Sequence, residues 1–247
     1  MRRIHKPDIA PAAIREYLEN QTPVGHGLDY RTFSQTASPQ GGSRGGQLCR
    51  ELTAEQFGLC AYTGAGIDKR LGNAVDPNQR LGFRSHNEHL KPQSVCRREL
   101  VDAGLEPGVD LGDDMNHLNI VAALEVSGAA KKVARQDLFG ATHRQNDPVS
   151  ILPTDPRCEQ AFQFDAQGHV MPLTADGRDT MAQLNLNHKT LIGWRMQAIA
   201  AFVEIIQSRA DAQSVIDRTS NPTDGILPEY AFAIRSVVQS MLAISEA

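Results

Sequence analysis

No apolar run in the 247 residues approaches the roughly 18 needed to cross a bilayer. The opening stretch MRRIHKPDIAPAAIREYL is basic but has no apolar segment behind it, so no secretory leader is expected. The expected setting is the cytoplasm, with no membrane partner. Aromatic residues are scarce at 5%, so the core must be built mainly from Ala, Leu, Ile and Val. The four cysteines, Cys49, Cys60, Cys96 and Cys158, contain no Cys-x-x-Cys pair. Free thiols are therefore expected, and a zinc site would require the fold to gather the four. There is no basic excess: the formal net charge is −4, which argues against a protein that coats nucleic acid by itself. The GGSRGG stretch lacks the Gly-Lys-Ser/Thr of a phosphate-binding loop. No internal repeat is evident.

What remains is a mixed pattern. Residues 10–20 read as a short helix with Pro11 in its first turn. The Gly- and Ser-rich stretch 35–47 reads as a flexible loop. Residues 47–59 read as a helix with Leu48, Leu52, Phe57 and Leu59 on one face and Thr53 and Gln56 as a capping pair. LCAYTGAGI, residues 59–67, suggests a strand entering a turn at Thr63 and Gly64. GNAVDPNQRLG is turn-rich. LGFRSHNEHLKP reads as a strand ended by Pro92, NIVAAL as a strand or helix start, and GAAKKVARQDLF as a helix. FQFDAQGHVMPL reads as a hairpin turning over Asp165 to Gly168. Beyond Thr180 the chain reads as helical, with Asn187 as an N-cap. Leu191, Trp194, Ala198, Ala201, Phe202 and Ile205 fall on one face, and a last helix opens with Pro228 in its first turn.

One segment concentrates chemistry. SHNEHLKPQS places His86, Asn87, Glu88 and His89 in a row, and His117 and Asn119 follow. The stretch from Lys69 to Arg98 holds seven basic residues against Asp76 and Glu88, a net of +5. Such a surface would suit phosphates. Phosphodiester cleavage needs a base for water and a divalent cation for developing charge. A glutamate suits a hard cation, and a neutral histidine suits base work near neutral pH. On a strand, His86 and Glu88 point to one face and Asn87 and His89 to the other.

LCAYTG, HNEHLKPQS and NHLNIVAAL, in that order, resemble the HNH endonuclease unit, and in particular the PtuB-type nucleases of Septu and retron-linked anti-phage systems. The likeness continues through ILPTDPRCEQAFQFDAQGHV and LNLNHKTLIGWR. It implies an α+β fold: a small ββα-metal (HNH) unit over residues 59–140, embedded in a mainly helical domain. Residues 1–58 would be an N-terminal helical segment with a Gly-rich loop. Residues 141–247 would be a hairpin and helical part packed with the unit as one body. The resemblance assigns His89 as general base and Glu88 as ligand to Mg²⁺ or Mn²⁺. Asn119 would position the base through the backbone, and His86 would be a metal ligand or phosphate contact. His117 is a further candidate metal ligand. The implied partners are a DNA or RNA substrate and a PtuA-like ATPase subunit. Self-association into a homo-oligomer stays open.

The sequence departs from the family pattern twice. Cys60 is retained, but Thr63, Leu124 and Ser127 stand at the other three zinc-brace positions. No structural zinc is expected, and packing of Leu124 would replace it. The last HNH position, expected in a following helix, is Gly128. An eroded module that binds nucleic acid or a partner without catalysis is therefore a competing expectation. A zinc hydrolase built on His86, His89 and His117 is a third.

Overall fold

The structure, a computed structural model, describes residues 1–70, 81–128 and 133–244. In chain order the helices are α1 Ala12–Gln21, α2 Tyr30–Gln35, α3 Arg44–Glu55, α4 Ile67–Arg70, α5 Gln93–Asp102, α6 Gly140–Arg144, α7 Ala175–Gln183, α8 Lys189–Val203, α9 Arg209–Ser220 and α10 Ala231–Ile244. The strands are β1 Leu81–His89, β2 Ile120–Gly128, β3 Phe162–Phe164 and β4 Val170–Pro172. They form two small two-stranded sheets, β1 with β2 and β3 with β4. The fold is thus mixed, with helices predominating. Among the described residues no helix is long and apolar enough to cross a membrane.

The chain divides into two compact units that interleave along the sequence. One holds Met1–Ile4, Gln56–Arg84 and Ala123–Ala247, and the other holds His5–Glu55 and Ser85–Ala122. They are called here the carboxyl-terminal and strand units. The division runs through both β1 and β2, so each strand contributes residues to each unit.

The strand unit is built on α1, α2 and α3. Ala13, Ile14, Phe33, Leu48 and Leu52 are essentially inaccessible, and Tyr17 meets Phe33 edge-on at 5.2 Å. Asp29 caps α2 by accepting from the Thr32 N–H at 3.0 Å. α3 begins at Arg44, earlier than the sequence suggests, so the second glycine pair is helical rather than part of a flexible loop. Close packing is the reason: a Cβ at Gly45 would stand 3.0 Å from Ser34. Ser43 accepts from the Gly46 N–H at 3.1 Å and holds the first turn. Thr53 and Gln56 do not cap. Thr53 donates to the Cys49 carbonyl within α3, and Gln56, which belongs to the other unit, donates to the Leu59 carbonyl.

In the carboxyl-terminal unit the β3–β4 hairpin forms with Phe162 opposite Pro172 and Phe164 opposite Val170. Its turn uses Gly168 at φ +88°. Phe164 packs on Phe232 of α10 at 5.2 Å. Leu59–Gly66 makes only an isolated bridge, closed by the Cys60 N–H on the Ala65 carbonyl, rather than a strand. At that turn a Cβ on Gly64 would collide with the Phe232 ring, so glycine is required. α8 buries Leu191, Arg195 and Ile199, a period-four stripe, whereas Ala201 and Ile205 face solvent. The apolar pattern misplaced this face because its centre is an arginine. The α8 cap is His188, not Asn187. Asn187 instead brackets the Val170 backbone, accepting from its N–H at 2.7 Å and donating to its carbonyl at 3.0 Å. Pro228 precedes α10 rather than lying in it.

GNAVDPNQRLG falls mostly on residues outside those described. So do residues 129–132 of the expected helix over GAAKKVARQDLF, whose described part holds only a 3₁₀ turn at Arg135–Asp137. Gly128 ends strand β2 and is not a helix residue. Of the run Ile120 to Val126 every residue but Glu125 is buried, and Ile120, Val121 and Val126 are β-branched, which suits a covered strand. All four cysteines are free and buried. Cys60 Sγ accepts from the Leu124 N–H at 3.3 Å, so the thiol meets β2 through its backbone.

Candidate active site on strand β1

Alternation along β1 sorts the motif onto two faces. On one, the His86 Nε2 and Glu88 Oε2 lie 2.9 Å apart, with the glutamate side chain 12% exposed. An ionised carboxylate can only accept, so Nε2 is the donor. On the other face, the Asn87 amide donates to the Gly45 carbonyl at 2.7 Å, and its side chain bonds the Tyr30 hydroxyl. Burial pushes that phenol up to about 12 despite this bond. The His89 ring stands edge-on to Tyr30 at 4.4 Å and is 6% exposed.

The partners of His89 fix its tautomer. Nε2 lies 2.9 Å from the Asp114 carbonyl, which can only accept, so Nε2 carries the proton. Nδ1 lies 3.1 Å from the Gln93 Nε2, an amide donor, so Nδ1 presents a lone pair. Burial is the main cause lowering the His89 pKa, and the bond to the Asp114 backbone opposes it.

Asn119 closes the arrangement from the start of β2. Its Oδ1 accepts from the Lys91 N–H at 2.6 Å, and its Nδ2 donates to the Lys91 carbonyl at 3.2 Å and the Asp113 carbonyl at 3.0 Å. Its own carbonyl accepts from the Leu90 N–H at 2.8 Å. The backbone immediately after His89 is therefore held on both sides by one buried asparagine.

His117 is placed elsewhere in this unit, with Nε2 2.9 Å from the Pro7 carbonyl. Among the described residues no group of three or more His, Cys, Asp or Glu side chains is arranged to hold one ion. The pair His86 and Glu88 fits a hard cation that takes one or two protein ligands and completes its shell with water and phosphate oxygens. It is too few for a closed zinc site.

The basic stretch is largely offset by acids. In the strand unit, Lys91 Nζ lies 2.6 Å from Glu99 and 2.5 Å from Asp113. These bonds, Asp113 first, raise the Lys91 pKa, and Lys91 in turn holds Asp113 below the usual carboxylate range. In the carboxyl-terminal unit, Arg70 pairs with Glu229 at 3.0 Å and Arg84 with Glu125 at 2.7 Å. Arg97 and Arg98 stand exposed on α5.

Three contributors were not singled out in the sequence: Tyr30, Gln93 and the Asp114 carbonyl. Gln93 carried a faint signal, since it is the first residue after Pro92 and a helix opening there returns toward the strand end. Tyr30 and Asp114 carried none, because their roles depend on tertiary placement. No family model matches the chain, and no curated protein matches it.

Proposed function

We propose that the chain is a metal-dependent endonuclease subunit of the HNH type, with His89 as general base and Glu88 and His86 holding the cation: the two groups leave opposite faces of β1, but His89 is the last residue of the strand, and Glu88 and His86 lie within electrostatic reach of its ring. The observation that supports this most is the His89 ring itself: buried, and fixed by a backbone carbonyl on Nε2 so that Nδ1 presents a lone pair. A base oriented in this way needs no tautomer change before it works. Nδ1 takes a proton from water, the resulting hydroxide forms a bond to phosphorus, and the bond to the leaving oxygen breaks, solvent supplying its proton. A bound Mg²⁺ or Mn²⁺ would supply charge stabilisation on the phosphate oxygens. Asn119 sets the strand ends that carry the base. Lys91, beside the site, is paired with Glu99 and Asp113 rather than open to nucleic acid, which fits a subunit that acts with a partner. By resemblance that partner is a PtuA-like ATPase in an anti-phage system, with DNA or RNA as substrate.

One observation favours the competing reading of a binding module without catalysis: among the described residues no three ligating side chains meet, and His117 is engaged by Pro7. Cleavage of DNA and RNA by wild type, His89→Ala and Glu88→Gln, with Mg²⁺ or Mn²⁺ and the partner present, separates the two readings. The expected loss in His89→Ala is about 10²- to 10⁴-fold. Equal rates in wild type and His89→Ala would sink the catalytic assignment.

A further inference from the structure

We infer that Gln93 is a removable cap on the catalytic lone pair of His89, displaced when a nucleic-acid strand enters. This rests on the nuclease reading above and adds to it a mode of control. The His89 ring cannot turn to present its lone pair elsewhere. Its Nε2–H is tied to the backbone at Asp114, and its edge packs on Tyr30. The lone pair on Nδ1 therefore points where the Gln93 Nε2 stands, 3.1 Å away. A water to be deprotonated must occupy that same position, so amide and nucleophile exclude each other.

The orientation of the amide follows from the ring. The atom of Gln93 that stands at Nδ1 is the amide nitrogen, which can only donate, so it meets the ring at a lone pair. With Nε2–H given to the Asp114 carbonyl, the amide NH₂ is the half of Gln93 that complements Nδ1. The two partners of His89 also differ in how firmly they are held. Asp114 contributes a main-chain carbonyl. Gln93 is exposed, at the first position of α5, and contributes the end of a flexible side chain. Its hydrogen bond exchanges readily for one to water or to a phosphate oxygen, since the net value of such a bond is small. Phosphate oxygens are acceptors only, so an arriving strand gives the displaced amide a new partner and leaves Nδ1 to water.

The test is chemical labelling of unprotonated imidazole with diethyl pyrocarbonate near neutral pH. Each histidine is followed by peptide mass mapping, with His86 as the control within the same molecule. His89 should label slowly in wild type and about fivefold faster in Gln93→Ala, the equivalent of one neutral hydrogen bond, with His86 unchanged. Nucleic-acid cleavage should rise by a similar factor. Gln93→Glu replaces the donor by an acceptor that holds a proton on Nδ1, so both labelling and cleavage should fall. Gln93→Ser, which is too short to reach Nδ1, should behave as Gln93→Ala does, and circular dichroism confirms that each variant is folded. Equal His89 labelling in wild type and Gln93→Ala overturns the cap. Faster labelling with slower cleavage also overturns it, because the amide would then be assisting the reaction. If wild type cleaves nothing, the nuclease reading fails, while the labelling comparison still decides whether Gln93 covers the lone pair.

Discussion

Each unit buries a histidine whose Nδ1 accepts a hydrogen bond, and the two bonds serve different ends. His188 accepts from the Thr190 N–H at 3.2 Å and caps α8. That donor is main chain in a helix, so the bond is permanent and the histidine is a folding device. His89 accepts from an exposed glutamine side chain and takes its fixed partner on the other nitrogen. The same contrast holds more widely. In the carboxyl-terminal unit several buried polar groups are met by a backbone or hydroxyl partner away from any strand end. Arg144 reaches the Asp147 carbonyl and the Tyr62 hydroxyl, Arg195 the Leu186 carbonyl, and Thr180 the Ile151 N–H. In the strand unit, Asn87, His89, Asn119 and Tyr30 converge on one pair of strand ends. Scattered buried polar groups complete a fold, while convergent ones arrange a site.

The sharpest way to break this comparison is to remove each histidine in turn. His89→Ala should lower cleavage by about 10²- to 10⁴-fold. His188→Ala should leave the turnover of folded protein unchanged and cost about 0.5–2 kcal/mol of stability, the value of a lost N-cap. Steady-state kinetics on the soluble fraction, paired with urea titrations, would show the split. Similar effects of both changes on turnover would dissolve the distinction. Next in size is Asn119→Ala, which removes the acceptor of the Lys91 N–H and a donor to two part-buried carbonyls, those of Lys91 and Asp113. The expected cost is about 2–3 kcal/mol, seen as a lower urea midpoint together with reduced cleavage. A stability loss with full activity would mean that the clamp does not position the base.

The strand carrying the motif, the hairpin at 162–172 and the final helices were readable because period and turn residues are local signals. The alternation that sorts His86 and Glu88 from Asn87 and His89 was readable for the same reason. The face of α8 was not, because Arg195 is buried through a hydrogen bond that composition cannot show. The helicity of Gly45 was hidden too, since propensity penalises glycine while packing on Ser34 demands it. At the site, the donors on the strand were legible and their partners were not. Tyr30 and the Asp114 carbonyl are 59 and 25 residues distant from His89 in sequence, and nothing in either segment marks them. Gln93 lies close in sequence, but its role depends on the turn at Pro92 bringing α5 back to the ring.

The cap at His188 also predicts a pH response. Burial is the main cause lowering the His188 pKa, followed by nearby Lys189. Its folded value therefore lies below the ordinary value of about 6.5 that applies when unfolded. Above about 6.5 both states are neutral and the group contributes no pH dependence. As pH falls below that value, the unfolded chain takes up the proton first, so stability declines. Protonation would also remove the lone pair that caps α8. Melting temperatures should fall on moving from neutral to mildly acidic solution, and His188→Asn, which keeps an N-cap acceptor, should flatten that decline. An unchanged slope in the variant would show that the decline comes from other groups.

The smallest effect is expected at Arg84, next to the motif on β1. Its ion pair with Glu125 has good geometry at 2.7 Å, but the arginine side chain is 64% exposed. Solvent and salt screen such pairs, so Arg84→Ala should change stability by no more than about 0.5 kcal/mol, falling toward zero at high salt. The buried clamp at Asn119 should be insensitive to salt over the same range, because its bonds are neutral and enclosed. A double-mutant cycle of Arg84→Ala and Glu125→Ala at two ionic strengths measures the pair directly. A coupling as large as that of the clamp, or one that survives high salt, would mean that the surface of β1 contributes to the fold as its buried face does. The division drawn here between the two faces of the strand would then fail.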